Sequence, residues 1–258
     1  MSRPPRWYGD GTVRGATCPI RSPQRRSHIV VLCNSVGSTA GFLAARTEDL
    51  SSLEPLPPPE SMIEDAKPVL AEDPVMAELL EKHDLPALDE HREFERLCVS
   101  IINQQLSSAS AAAVRERVFE HLETVTPAAV LDADEAPLRD AGLSGMKIEY
   151  LQHAAAAFQE NNYSRAALAD HSAAEVIDEL TDIRGIGEWT SHMYLLFVLQ
   201  REDVLPLGDL AIRNGIEQLY AADGESLTRE EMRDIAAAWR PYRSVAARYI
   251  WAEYEAEE

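Results

Sequence analysis

The sequence predicts an all-α protein. Three observations carry this. Apolar residues from Met62 onward recur at helical spacing, helix-capping signatures recur along the same stretch, and no run of alternating residues is long enough for a sheet. In chain order, Asp73-Pro74 is an N-cap followed by proline at the first helical position, which opens a helix to about His83. A second helix is expected from about Glu90 to Gln105, with Phe94, Leu97, Ile101 and Ile102 on one face. A third runs from about Ser107 to Leu122, and Thr126-Pro127 starts a short one. Met146 to Asn161 follows, with Tyr150, Leu151, Ala154 and Phe158 on one side. Ser172-x-x-Glu175 and Thr228-x-x-Glu231 are capping boxes. Helices also fit 188–199, 210–220 and 243–256. The short connections suit helix packing, either as one all-α domain or as two helical lobes sharing a cleft.

A chain of 258 residues with 45% hydrophobic content holds one large domain or two small ones. No stretch reaches the roughly 18 apolar residues of a membrane span. Cys18, Cys33 and Cys98 are too scattered for a disulfide framework or a metal cluster, so no metal is expected and a reducing cytoplasm fits. The net charge of -20 argues, taken naively, against nucleic acid as a partner. Lysine occurs only at Lys67, Lys82 and Lys147. An acidic, lysine-poor surface is also what a halophile's cytoplasm requires. There the screening length falls to about 3 Å at 1 M salt, and repulsion from DNA is largely lost.

The charge is uneven. Residues 1–61 carry seven arginines, five acidic residues and eight of the 15 prolines, so the negative charge lies in residues 62–258. The first segment has no sustained periodicity and reads as disordered. Its run Ile29 to Cys33 is too short and late for a signal peptide. An alternative is a native start at Met62, where the composition changes to that of the body. Residues 62–258 form the helical domain.

Two local patterns carry chemistry. In Leu180-Thr-Asp-Ile-Arg-Gly185-Ile-Gly187-Glu-Trp189-Thr190 one helix ends, a Gly-x-Gly turn follows and another helix begins. Free N–H groups and the positive dipole end at such a turn can hold a phosphate. An ordinary glycine-rich connection reads the same way. Ile183 and Ile186 would anchor the turn, and Arg184 could add charge. Twenty-two residues beyond Gly187, Leu205-Pro-Leu-Gly208-Asp209 forms a loop that opens a helix. Asp209 alone reads as an N-cap, which is compatible with a carboxylate kept ionised at a helix start.

A Gly-x-Gly hairpin followed at this interval by a Gly/Pro loop and an aspartate resembles the helix-hairpin-helix DNA glycosylase superfamily. The wording Gly185-Ile-Gly187-Glu-Trp189-Thr190 is similar to its 3-methyladenine DNA glycosylase II branch. Phe94 to Ser107, Gly142 to Leu151 and Trp239 to Trp251 resemble further stretches of that branch. The likeness implies two helical lobes around a cleft, with Asp209 as the catalytic carboxylate. It implies a base pocket of Trp189, Met193 and Trp251, Met193 departing from the branch's aromatic pattern. It places the DNA wedge at Gln105 beside Gln104, and phosphate contacts at Gly185, Gly187 and Thr190. Lys147 reads either as a further phosphate contact or as a solvated charge.

Bifunctional relatives place a lysine where this chain has Trp189, so a monofunctional hydrolase without a lyase step is expected. No cysteine follows Cys98, which leaves no set for an iron–sulfur cluster, and no cofactor is expected. The expected partner is double-stranded DNA containing a damaged base, bound by a monomer away from any membrane. Alkylated purines are the first substrate expectation. Deaminated or oxidised bases, or a non-catalytic DNA-binding module, are the alternatives.

Overall fold

The computed structural model describes residues 59–85, 88, 93–106, 108–222 and 225–257. Among them helices follow one another and no strand occurs. The helices are α1 (Pro59–Leu70), α2 (Pro74–Lys82), α3 (Glu93–Asn103), α4 (Ser108–Leu122), α5 (Pro127–Asp132) and α6 (Glu135–Asp140). Then come α7 (Gly145–Glu160), α8 (Ala173–Thr181), α9 (Glu188–Phe197), α10 (Leu210–Tyr220), α11 (Arg229–Ile235), a 3₁₀ turn (Ala236–Trp239) and α12 (Arg243–Glu257).

The caps written in the sequence are made. Asp73 accepts from the backbone N–H groups of Val75 and Met76, and Thr126 accepts from Ala129. Both capping boxes, at Ser172 and Thr228, are closed in each direction, and Ser144, which the sequence reading did not single out, caps α7. Two helices stop earlier than their apolar pattern suggests. α3 ends at Asn103, ahead of Gln105 with φ 58°, and α9 ends at Phe197, ahead of Gln200 with φ 52°. A left-handed residue cannot continue a right-handed helix.

The expected disorder of residues 1–61 falls, as far as Pro58, outside the described residues. Helix α1 starts at Pro59, three residues ahead of the compositional boundary, with proline in the first turn where its missing N–H costs nothing. The expected start of the second helix near Glu90 also lies outside the described residues.

The helices bury two cores. Phe94, Leu97, Ile101, Leu151, Leu180 and Leu196, among others, form the larger one, which α3 to α9 enclose. Met62, Leu70, Met76, Ile212, Trp239 and Ile250 belong to the second, built from α1, α2 and α10 to α12. The two ends of the domain therefore share one lobe. Asp73 Oδ2 accepts from Tyr220 Oη at 2.9 Å and Trp239 Nε1 at 3.0 Å, and Glu253 of α12 takes Lys82 and His83. The chain crosses between lobes twice, before α3 and between α9 and α10. At the second crossing Asp203 takes Arg240 and Arg243, and Ser244 Oγ accepts from the backbone N–H of Val204 at 3.0 Å. Trp251 packs against both cores, at the seam where the site lies.

Candidate active site

Helices α8 and α9 are joined by the turn 182–187. Ile183 and Ile186 are buried, anchoring it as their spacing suggests. Gly185 has φ 95°, and a Cβ there would fall 2.1 Å from Cγ of Tyr150, so the position requires glycine. Gly187 differs. It caps α9 in extended conformation without a side-chain hydrogen bond, and a Cβ would meet nothing within 4 Å. The start of α9 thus faces open space, the geometry an anion needs.

Beside this turn opens a cleft of about 1050 Å³. Asp209 lines it and caps α10. Its Oδ1 accepts from the backbone N–H of Ile212 at 3.1 Å and from Trp251 Nε1 at 3.1 Å, and its Oδ2 accepts from Trp189 Nε1 at 2.6 Å. The N-cap reading of Asp209 is therefore realised, and the capping carboxylate also lines the cleft. Two indole donors and one backbone donor fix the carboxylate while the side chain stays only half-buried. Trp189, Met193 and Trp251 all line the same cleft, Met193 buried and the tryptophans half-buried. The tryptophans do more than offer ring faces, because their N–H edges point at the carboxylate.

Gln105 and Leu106 form the rim, both exposed. One expectation needs correction. Gln104 does not stand with Gln105 as a wedge. Its Nε2 donates to Gly185 O at 3.0 Å and to Thr190 Oγ1 at 2.9 Å, tying the rim loop to the hairpin. The Thr190 side chain is buried and its hydroxyl accepts from Gln104, which leaves its backbone N–H in the first turn of α9 as the group a phosphate would meet. Lys147 is half-buried, and its ammonium spends one of its three donors on Ile102 O at 2.7 Å, near the end of α3. Partial burial there pushes its pKa below the ordinary lysine value. Arg184 is exposed and pairs with Glu149 at 3.1 Å.

Sequence reasoning missed several lining residues, Arg96, Leu106 and Phe197 among them. A signal existed for the first. Arg96, Ser100 and Asn103 repeat at helical spacing as a polar stripe along α3, and all three line the cleft. Leu106 and Phe197 carry no comparable mark. Among the described residues no group of three or more His, Cys, Asp or Glu is placed to hold a metal ion, and no helix is long and apolar enough to cross a membrane.

A family model described as HhH-GPD superfamily base excision DNA repair protein matches residues 98–241. DNA-3-methyladenine glycosylase 1 of Schizosaccharomyces pombe is 32% identical over 169 residues, covering 64% of this chain and 74% of the relative. The crystal structure of a Bacillus halodurans DNA-3-methyladenine glycosidase superposes with a TM-score of 0.62 at 32% identity, over 75% of this chain and 91% of the other. The Schizosaccharomyces pombe 3-methyladenine DNA glycosylase in complex with abasic DNA gives a TM-score of 0.66 at 29% identity, over 74% and 97%. With its hairpin, its capping aspartate and its two-lobed helical fold, the chain belongs to the HhH-GPD superfamily of base excision DNA repair proteins.

Proposed function

We propose that this protein is a monofunctional DNA glycosylase that hydrolyses the N-glycosidic bond of alkylated purines, acting as a monomer on double-stranded DNA. The observation that carries the proposal is Asp209, a carboxylate clamped by two indoles at a cleft beside an open hairpin. The similarity to proteins named as 3-methyladenine glycosylases supports the substrate class.

A stacked base is out of reach, so the nucleotide rotates into the cleft and a side chain fills the gap behind it. Gln105 stands at the rim for that purpose, with exposed Leu106 beside it and exposed Leu210 also lining the cleft as apolar surface for the displaced stack. The hairpin holds the strand through the backbone N–H groups that start α9. As the glycosidic bond breaks, positive charge develops on the sugar. Asp209 opposes it. Three donors occupy its oxygens, and a carboxylate has about four lone-pair sites, so capacity remains for a water molecule. Trp189 stands where an amine nucleophile would be needed and offers only a donor N–H, so no Schiff base forms. Neutral donors at the phosphate also suit a chain of net charge -20.

The test is single-turnover base release from duplexes carrying methylated purines, at low and molar salt. The wild-type chain releases the alkylated base. Asp209→Asn binds the same duplex and is slower by at least about a thousandfold, the scale for losing a preorganised charge. Turnover retained by Asp209→Asn removes the carboxylate from its role. Release confined to uracil or hypoxanthine moves the protein to the deaminated-base class.

A further inference from the structure

We propose that Gln104 is a positioning residue for base extrusion, locking the turn that carries Gln105 to the hairpin so that strand grip and stack filling occur at one set distance. The proposal rests on the glycosylase reading above, with Gln105 as the filler. Helix α3 ends at Asn103 and the chain reverses at once. The backbone N–H of Leu106 donates to Asn103 O at 3.2 Å, which makes Gln104 and Gln105 the two central residues of a tight turn. Gln105 has φ 58° and is exposed at the cleft rim. Leu106 is exposed as well, so it gives the turn no buried anchor.

The Gln104 side chain supplies that anchor. It is half-buried, and its Nε2 spends both hydrogens, on Gly185 O at 3.0 Å and on Thr190 Oγ1 at 2.9 Å. The two acceptors bracket the start of α9, and both are fixed. Thr190 is buried, and Gly185 lies so close to the Tyr150 ring that no Cβ fits between them. The root of the turn is held from the same side, because α7 carries both Tyr150 and Lys147, whose ammonium donates to Ile102 O. Gln104 thus ties a turn without an apolar anchor to a rigid one. An extruded nucleotide leaves its gap at a fixed distance along the strand from the phosphate held at α9. A filler on a drifting turn would miss that gap, and a misplacement of about 1 Å away from the chemistry can cost on the order of a hundredfold in rate. Because Gln104 acts through Gln105, its contribution must vanish when Gln105 has no side chain.

The experiment is a double-variant cycle read by single-turnover release of 7-methylguanine from duplex DNA at saturating enzyme, or of hypoxanthine if the wild-type chain prefers it. The four proteins are the full chain, Gln104→Met, Gln105→Gly and the double variant. Gln104→Met keeps the length of the side chain and deletes both donors. It slows release by about tenfold, the scale of one well-made hydrogen bond. In the Gln105→Gly background the same substitution slows release by less than about twofold, since no filler is left to position. A tenfold loss that persists in that background overturns the proposal, as does wild-type release by Gln104→Met. Release of neither base, nor of any other damaged base, by the wild-type chain overturns the glycosylase reading instead. If chemical denaturation shows Gln104→Met unfolded under assay conditions, Gln104→Asn takes its place in the same cycle, keeping the amide but falling one methylene short of the two acceptors.

Discussion

Trp189 Nε1 donates to Asp209 Oδ2 across 2.6 Å, and this bond spans the two lobes. Trp189 sits in the first turn of α9, whose side chains fill the larger core, and Asp209 begins α10, whose side chains fill the second. The hairpin and the carboxylate are thereby held at one fixed spacing. Trp251 adds a second indole donor from α12.

Trp189→Phe keeps an aromatic ring and deletes the donor. Hydrogen bonds to charged groups contribute about 1.5–3 kcal/mol, so base release should slow by about 10- to 100-fold. Duplex affinity should change little, because the N–H faces Asp209 and not the phosphates. Trp251→Phe should act in the same direction. The double variant should lose less than the product of the two, since both donors position one carboxylate. Single-turnover kinetics beside anisotropy binding measures this. Loss confined to binding would show the tryptophans acting only as stacking surfaces.

The two hairpin glycines should separate stability from binding. Gly185→Ala drives a Cβ into the Tyr150 ring at positive φ, so it should cost at least about 2 kcal/mol of folding free energy. Gly187→Ala has ordinary φ and open space, and its melting temperature should stay near wild type. Its methyl group instead occupies the approach to the start of α9, so duplex affinity should fall. Chemical denaturation with parallel binding titrations tests both. Equal stability loss at the two sites would contradict the open geometry at Gly187.

Much of this architecture is legible in the sequence because it is local. Asp73, Thr126, Ser172 and Thr228 each bond backbone donors two or three residues on, so spacing alone reveals them. Helix α6 is harder. It spans six residues, Asp134 at its N-cap makes no side-chain bond, and Pro137 interrupts the pattern. The site divides in the same way. Asp209 and the hairpin are contiguous motifs. The directions of Gln104, Thr190 and Lys147 depend on partners 81, 86 and 45 residues away along the chain, and no periodicity encodes those distances. The union of α1 and α2 with α12 is likewise a contact between chain ends.

Glu253 ties α12 to α2 and should make the second lobe acid-sensitive. Its oxygens lie 2.5 Å from Lys82 Nζ and from His83 Nε2, and these hydrogen bonds hold its pKa below the ordinary 4.5. The unfolded chain therefore takes up the proton first as pH falls. The stabilisation is complete above about pH 4.5 and disappears as pH drops through the lower folded-state value. Glu253→Gln should lower the denaturation midpoint at pH 7 and converge with wild type in acid. A stability difference that stays constant down to pH 3 would show that the carboxylate's charge contributes nothing.

Gln105 should trade backbone strain for base extrusion. It is exposed at the cleft rim with φ 58°, a conformation that costs a residue with a Cβ roughly 1–2 kcal/mol. Gln105→Gly relieves that strain while raising the entropy of the unfolded chain by roughly 0.5–1 kcal/mol, so net stability should stay within about 1 kcal/mol of wild type. The same change removes the side chain proposed to fill the vacated stack, and base release from a duplex should fall by at least about tenfold. Release from a single strand, where no stack must be filled, should be affected far less. Gln105→Leu keeps the backbone strain, supplies a filler of similar size and should recover most of the duplex activity. Comparing the three proteins on paired and unpaired substrates isolates the filler from the backbone. Wild-type release from duplex DNA by Gln105→Gly would take extrusion away from this residue and point to exposed Leu106 next to it.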